Sequence, residues 1–158
     1  MYPYTICFLK RGDWSSNEVL MLHRKYPPNQ GKWNGVGGKL ESGETIEASI
    51  LREIKEETGL IPDEIRFKGI VSWNGAGGMY VFIGTVSTDP TIACKEGKLE
   101  WKSLDWIVTS TEVVSNIPYF IHDLFTYPFP LEHAFQYDEE GNIVEYTKKP
   151  IYMLSNPT

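Results

Sequence analysis

Apolar positions run together twice near the start of the chain, as YTICFLK at 4–10 and EVLMLHRK at 18–25, and the RGDWSSN between them is made of turn formers. Short apolar or alternating runs bounded in this way predict a strand, a loop and a second strand. The next stretch, YPPNQGKWNGVGGKLESGE at 26–44, carries two prolines and more glycine than a packed element tolerates, so it predicts a long loop with one short strand at 33–36. Then the period changes. Ile46, Ile50, Leu51 and Ile54 recur at helical spacing, Thr45 stands where an N-cap belongs, and Gly59 is placed to end the helix in the left-handed conformation. A helix over 45–58 follows.

Further strands are expected at 65–73, 79–87 and 100–108, the first two separated by the glycine-rich NGAGG. IPYFIHDLF at 117–125 predicts a second helix with Pro118 in its first turn, and 133–147 predicts a hairpin turning at Glu140, Gly141 and Asn142. The sheet outweighs the helices. No internal repeat or linker interrupts the chain, and 158 residues suit one core, so a single domain over 1–158 is expected.

Composition narrows the function classes. A 41% hydrophobic fraction with 23% charged residues is ordinary for a globular chain, and a formal charge of −6 argues against a broad surface for nucleic-acid polymers or anionic membranes. No apolar run approaches the roughly 18 to 20 residues of a membrane span. Cys7 and Cys94 lie far apart with no CxxC pair, which predicts two buried thiols in a reducing, cytoplasmic setting. His23, His122 and His133 form no zinc pattern, and no serine, histidine and aspartate stand at suggestive spacing.

The chemistry concentrates in the helix. At about 100° per residue, Glu53, Glu56 and Glu57 fall within an arc of roughly 100°, beside the isoleucines that dock on the sheet. Like charges at these spacings cost about 0.2 to 0.5 kcal/mol each on an exposed helix, and more where water is scarce. Either Arg52 and Lys55 offset the repulsion on a solvated face, or a hard divalent cation shares the carboxylate oxygens. GVGGK just before the helix favours the second, because its glycines let backbone approach a ligand and Lys39 adds positive charge.

This arrangement resembles the Nudix box. Gly38, Glu44, Arg52, Glu53, Ile54, Glu56, Glu57, Gly59 and Leu60 fill all nine positions of its pattern within residues 38–60, a coincidence on the order of 10⁻⁹ in a random window. The resemblance implies an α/β (α+β) fold, an α/β/α sandwich with a central mixed β-sheet. It further implies a hydrolase that uses Mg²⁺ or Mn²⁺ on a nucleoside diphosphate linked to another moiety. By that likeness Glu53, Glu56 and Glu57 hold the metal, one of them serving as the base that activates water. Gly37 or Gly38 offers a carbonyl, Arg52 orients a glutamate, and Glu44 braces the start of the helix. Glu96 is expected to complete the metal site from a later loop, with Glu100 as its rival.

Around the box, and in the closing hairpin, the sequence looks most like nucleoside triphosphate pyrophosphohydrolases that act on oxidised purines such as 8-oxo-dGTP. Asn34 would then contact the base, while Arg24, Lys25 and Lys39 would meet the distal phosphates. A tryptophan and two aspartates of the base pocket in the animal relatives correspond to Val114, Asn116 and Ile117 here, a departure from their pattern. Trp73, Tyr80 and Phe82 are either core residues or surfaces on which a base stacks. Hydrolysis of ADP-ribose, a dinucleotide or a sugar nucleotide, and a non-catalytic nucleotide sensor, are the alternatives; RNA cap removal fits poorly with an acidic chain. The partner is a small nucleotide, and the chain is a monomer or a homodimer.

Overall fold

The computed structural model describes residues 2–151. Met1 and residues 152–158, the ends of the expected single domain, lie outside the described residues. Among the described residues nine strands form one mixed sheet. β1 (Tyr4–Arg11) runs parallel to β6 (Gly77–Val86) and antiparallel to β2 (Glu18–Arg24). β5 (Glu64–Trp73) pairs antiparallel with β6 and parallel with β8 (Leu131–Tyr137), which turns back into β9 (Ile143–Pro150). At the other side β3 (Trp33–Asn34) and β7 (Gly97–Ser103) pair with β2, and β4 (Val36–Lys39) pairs with β1.

β1 reads as a continuous apolar run because the sheet is covered on both faces. Ile6 and Phe8 point to one core with Val71, Val81, Phe120 and Phe135, under helix α3 (Ile117–Thr126). Cys7 and Leu9 point to the other with Leu20, Val36 and Phe82, under Ile50 and Ile54 of helix α1 (Ile46–Thr58). The result is the expected α+β sandwich. Among the described residues no helix is long and apolar enough to cross a membrane.

Three expectations change in detail. The strand foreseen at 33–36 is two strands, because the chain passes from pairing with β2 to pairing with β1 at Gly35, where a Cβ would lie 2.8 Å from the Cys7 carbonyl oxygen. The strand foreseen at 100–108 stops at Ser103, whose hydroxyl accepts the Trp106 N–H at 3.1 Å and starts a short helix, α2 (Leu104–Thr109). The apolar alternation of Leu104, Trp106 and Val108 belongs to a helix whose buried residue is Ile107. Of the two cysteines only Cys7 is buried, and burial pushes its thiol pKa up, while Cys94 is half-buried.

Helix α1 is bounded as its sequence indicates. The Thr45 hydroxyl accepts the Ala48 N–H at 3.1 Å. At the far end Gly59, at φ 79°, donates its N–H to the Lys55 carbonyl at 2.8 Å. The Thr91 N–H bonds the Thr58 carbonyl at 2.8 Å, so the loop before β7 is pinned to the end of this helix. A side chain at Gly59 would meet Thr91 Oγ1 at 2.0 Å. Gly59→Ala is therefore expected to lower the unfolding free energy by about 1–2 kcal/mol from the left-handed backbone alone. Urea denaturation reads this directly, and an unchanged midpoint would show that the cap relaxes without cost.

Candidate active site

Two glycines set the site. β4 lies antiparallel to β1, pairing Ile6 with Gly37 and Thr5 with Gly38, and α1 packs across it. A Cβ on Gly37 would fall 2.1 Å from the Thr5 carbonyl oxygen, and one on Gly38 would fall 2.3 Å from Glu53 Oε2. Bare backbone thus stands against two carboxylates of the helix: Glu53 covers Gly38, and Glu57 Oε1 accepts the Gly37 N–H at 2.9 Å.

Arg52 holds the acids in register. Its Nε and Nη2 grip Glu44 in a fork at 2.6 and 2.9 Å, Nη2 also reaches the Lys39 carbonyl at 3.1 Å, and Nη1 donates to Glu53 and Glu56, each at 3.2 Å. Paired forks of this kind are stronger than single neutral hydrogen bonds. The guanidinium and the neighbouring Glu41 N–H bring the Glu44 carboxyl down to about 2. Glu44 is a brace, as the resemblance implies.

Glu57 has no such partner. It is only 6% exposed, and burial raises its pKa to about 8 against the pull of the Gly37 N–H, with Glu53 and Glu96 adding repulsion and Arg24 offsetting part of it. Burial likewise raises Glu53, opposed by Arg52. Across the cleft Glu96 faces these acids and pairs with Arg24 at 3.7 Å. Arg24 Nε also donates to the Pro28 carbonyl at 2.8 Å, tying the two loops that flank the opening.

The cleft measures about 890 Å³. Gly37, Gly38, Glu53, Glu56, Glu57, Glu96, Arg24, Asn34 and Lys39 all line it, so the structure brings these nine sequence-predicted residues together, while Arg52 stands behind and holds the glutamates. Glu100 does not belong: it sits on β7 between Lys98 and Lys102 at 2.7 and 3.0 Å. Lys25 lies over the Tyr26 ring, away from the lining. Of the three aromatic candidates only Trp73 lines the cleft; Phe82 is core, and Tyr80 packs against Tyr2 and Phe67. Val114, Asn116 and Ile117 lie outside the lining, with Ile117 wholly buried. Sequence reasoning missed Ile6, Met79 and Cys94, which line the cleft from strands and a loop distant in sequence; no local motif marks them.

The donors are carboxylate and backbone oxygens, a set that suits a hard divalent cation. Among the described residues no three carboxylates, imidazoles or thiols stand close enough to form a ready coordination group. Arg52 draws Glu53 and Glu56 to itself and offsets part of their repulsion. The donor chemistry fits a cation nonetheless. A carboxylate as buried as Glu57, packed against glycine backbone with other acids near, gains most from a positive charge.

A family model described as the NUDIX domain matches residues 3–124. The chain is 32% identical over 110 residues to the uncharacterized Nudix hydrolase YvcI of Bacillus subtilis, covering 64% of this chain and 65% of the relative. It is 46% identical over 56 residues to the ADP-ribose pyrophosphatase of Methanocaldococcus jannaschii, covering 35% of this chain and 33% of the relative. With the oxidized purine nucleoside triphosphate hydrolase of Mus musculus it shares 33% over 94 residues, covering 56% and 60%. The matches therefore span from a third to just under two thirds of these relatives. Among solved structures, the MutT protein of Bacillus halodurans superimposes with a TM-score of 0.73 at 25% identity, covering 94% of this chain and 98% of that one.

The buried glutamate makes stability depend on pH. A carboxyl whose folded pKa is raised from 4.5 to about 8 holds its proton more tightly in the native chain, so the stability it contributes is full below about 4.5 and is lost as pH rises towards 8. Glu44 acts in the opposite sense, but only below about 4.5. With a chelator present, Glu57→Gln is expected to match the unsubstituted protein at pH 5 and to exceed it in urea midpoint at pH 8. An equal difference at both pH values would mean that Glu57 ionises as an exposed glutamate does.

Proposed function

The chain belongs to the Nudix family, and from that premise we propose that it is a divalent-cation-dependent pyrophosphohydrolase converting nucleoside triphosphates to monophosphates and diphosphate. Oxidised purine nucleotides such as 8-oxo-dGTP are its favoured substrates in this reading. The observation that carries it is the meeting of Glu53 and Glu57 with the bare backbone of Gly37 and Gly38 at one end of a nucleotide-sized cleft. The likeness to the mouse enzyme supports the triphosphate class.

Glu53, Glu56 and Glu57, with a carbonyl of Gly37 or Gly38 and the Glu96 carboxylate, are the groups that would hold Mg²⁺ or Mn²⁺. When bound, the ion supplies neutralisation of phosphate charge and a more acidic water. The chain's own contribution is positional. Arg52 fixes the directions of Glu53 and Glu56 through hydrogen bonds at 3.2 Å, so neither needs ordering during the reaction. One of the three glutamates accepts the proton of the attacking water. Lys39 and Arg24 face the cleft and meet the phosphates, and Asn34, whose Oδ1 already accepts the Gly35 N–H at 2.9 Å, keeps its amide NH₂ for the base. Water attacks phosphorus, and diphosphate leaves.

A second reading is favoured by the 46% identity to an ADP-ribose pyrophosphatase. A panel of triphosphates, ADP-ribose and sugar nucleotides, assayed with Mg²⁺ and Mn²⁺ for diphosphate and AMP, separates the two. Diphosphate from the triphosphates is expected; AMP from ADP-ribose with no diphosphate from any triphosphate would replace the first reading with the second. Glu53→Gln and Glu57→Gln are each expected to lower turnover by about 10²- to 10⁴-fold. Turnover at the unsubstituted rate in both would overturn the carboxylate-centred mechanism.

A further inference from the structure

The cleft is chemically divided. Its four acidic lining residues, Glu53, Glu56, Glu57 and Glu96, come from the helix and the loop before β7, whereas the sheet supplies no acid: Arg24, Asn34 and Lys39 come from β2, β3 and β4, and the apolar Ile6, Trp73 and Met79 from β1, β5 and β6. Trp73 is the last residue of β5 and pairs directly with Gly77, the first of β6. A Cβ at Gly77 would lie 2.1 Å from Trp73 Nε1, 2.8 Å from Cε2 and 2.9 Å from Cδ1, so the indole rests across the glycine and only glycine leaves room for it. The tip beyond it is tethered. Asn74, at φ 54°, donates its N–H to the Phe135 carbonyl at 2.9 Å and accepts the Tyr137 N–H at 2.8 Å through Oδ1. A large aromatic side chain is thereby fixed in the lining of the cleft, which is how a surface for stacking is made rigid.

We infer that Trp73, seated on Gly77, is the platform on which the nucleobase stacks, and that it selects a planar base without reading its substituents. The inference rests on the nucleotide reading given above. An indole offers its face to any base, so the affinity it adds is nearly independent of what the ring edge carries.

Calorimetric titration of dGMP, 8-oxo-dGMP and inorganic diphosphate, each with Mg²⁺, into the unsubstituted protein and into Trp73→Ala, Trp73→Phe and Gly77→Val tests this. Loss of a stacking partner costs binding roughly 5- to 150-fold. Trp73→Ala and Gly77→Val are expected to weaken both nucleotides by a common factor in that range and to leave diphosphate unchanged, while Trp73→Phe restores most of the affinity. The platform is overturned if Trp73→Ala leaves nucleotide binding unchanged, if diphosphate weakens equally, if the phenylalanine variant is as poor as the alanine one, or if the unsubstituted protein binds neither nucleotide. These titrations need no turnover. Absence of triphosphate hydrolysis with a loss in Trp73→Ala shared by both nucleotides and spared by diphosphate sinks the functional reading alone, and diphosphate release with unchanged binding in Trp73→Ala sinks the platform alone.

Discussion

Everything at the acidic end of the cleft hangs on the forked contact between Arg52 and Glu44. One guanidinium, centred in the helix, joins the loop before the helix through Glu44 and the end of β4 through the Lys39 carbonyl while steering Glu53 and Glu56 with its remaining nitrogen, Nη1. Because the fork is planar and its Nε and Nη2 are committed to Glu44, rotation of the side chain is largely removed. The two outward carboxylates inherit that rigidity. A lysine in this place would neutralise as much charge but could not fix direction.

Against that ordered half stands an electrostatic tension left unresolved. Glu57 is held to the sheet by a single backbone N–H and is otherwise surrounded by apolar packing and other acids, which is why its proton is retained to about pH 8. Burial of Ile50 and Ile54 beside it makes the position unavoidable, since the helix cannot dock those isoleucines without carrying Glu57 inward. The hydrophobic contact of the helix with the sheet therefore keeps a carboxylate where water cannot solvate it well. Stability of the fold and readiness for a cation are two results of one packing arrangement.

Much of this was legible beforehand. The helix, its Thr45 and Gly59 caps, the closing hairpin and the grouping of Glu53, Glu56 and Glu57 follow from spacing and residue type alone, because each is decided within a few turns of chain. The strand misread at 100–108 shows the limit: alternating apolar residues suit a strand and a short helix alike, and only the Ser103 hydroxyl, by capping Trp106, decides between them. Glu96 could be separated from Glu100 only once β7 was paired with β2, which turns Glu100 towards two lysines and leaves Glu96 at the mouth of the cleft.

By itself the sequence determined the family, the acidic helix and the glycines that precede it, since those depend on local geometry and on residue types with few substitutes. Tertiary structure alone decided which acid is buried, which is held by Arg52, and which aromatic lines the cleft. Trp73, Tyr80 and Phe82 are similar aromatics on neighbouring strands, and nothing local separates them. Their fates differ because a residue's exposure is set by what the rest of the chain lays over it: a core packs on Phe82, Tyr2 and Phe67 cover Tyr80, and a missing Cβ at Gly77 leaves Trp73 its seat in the cleft lining.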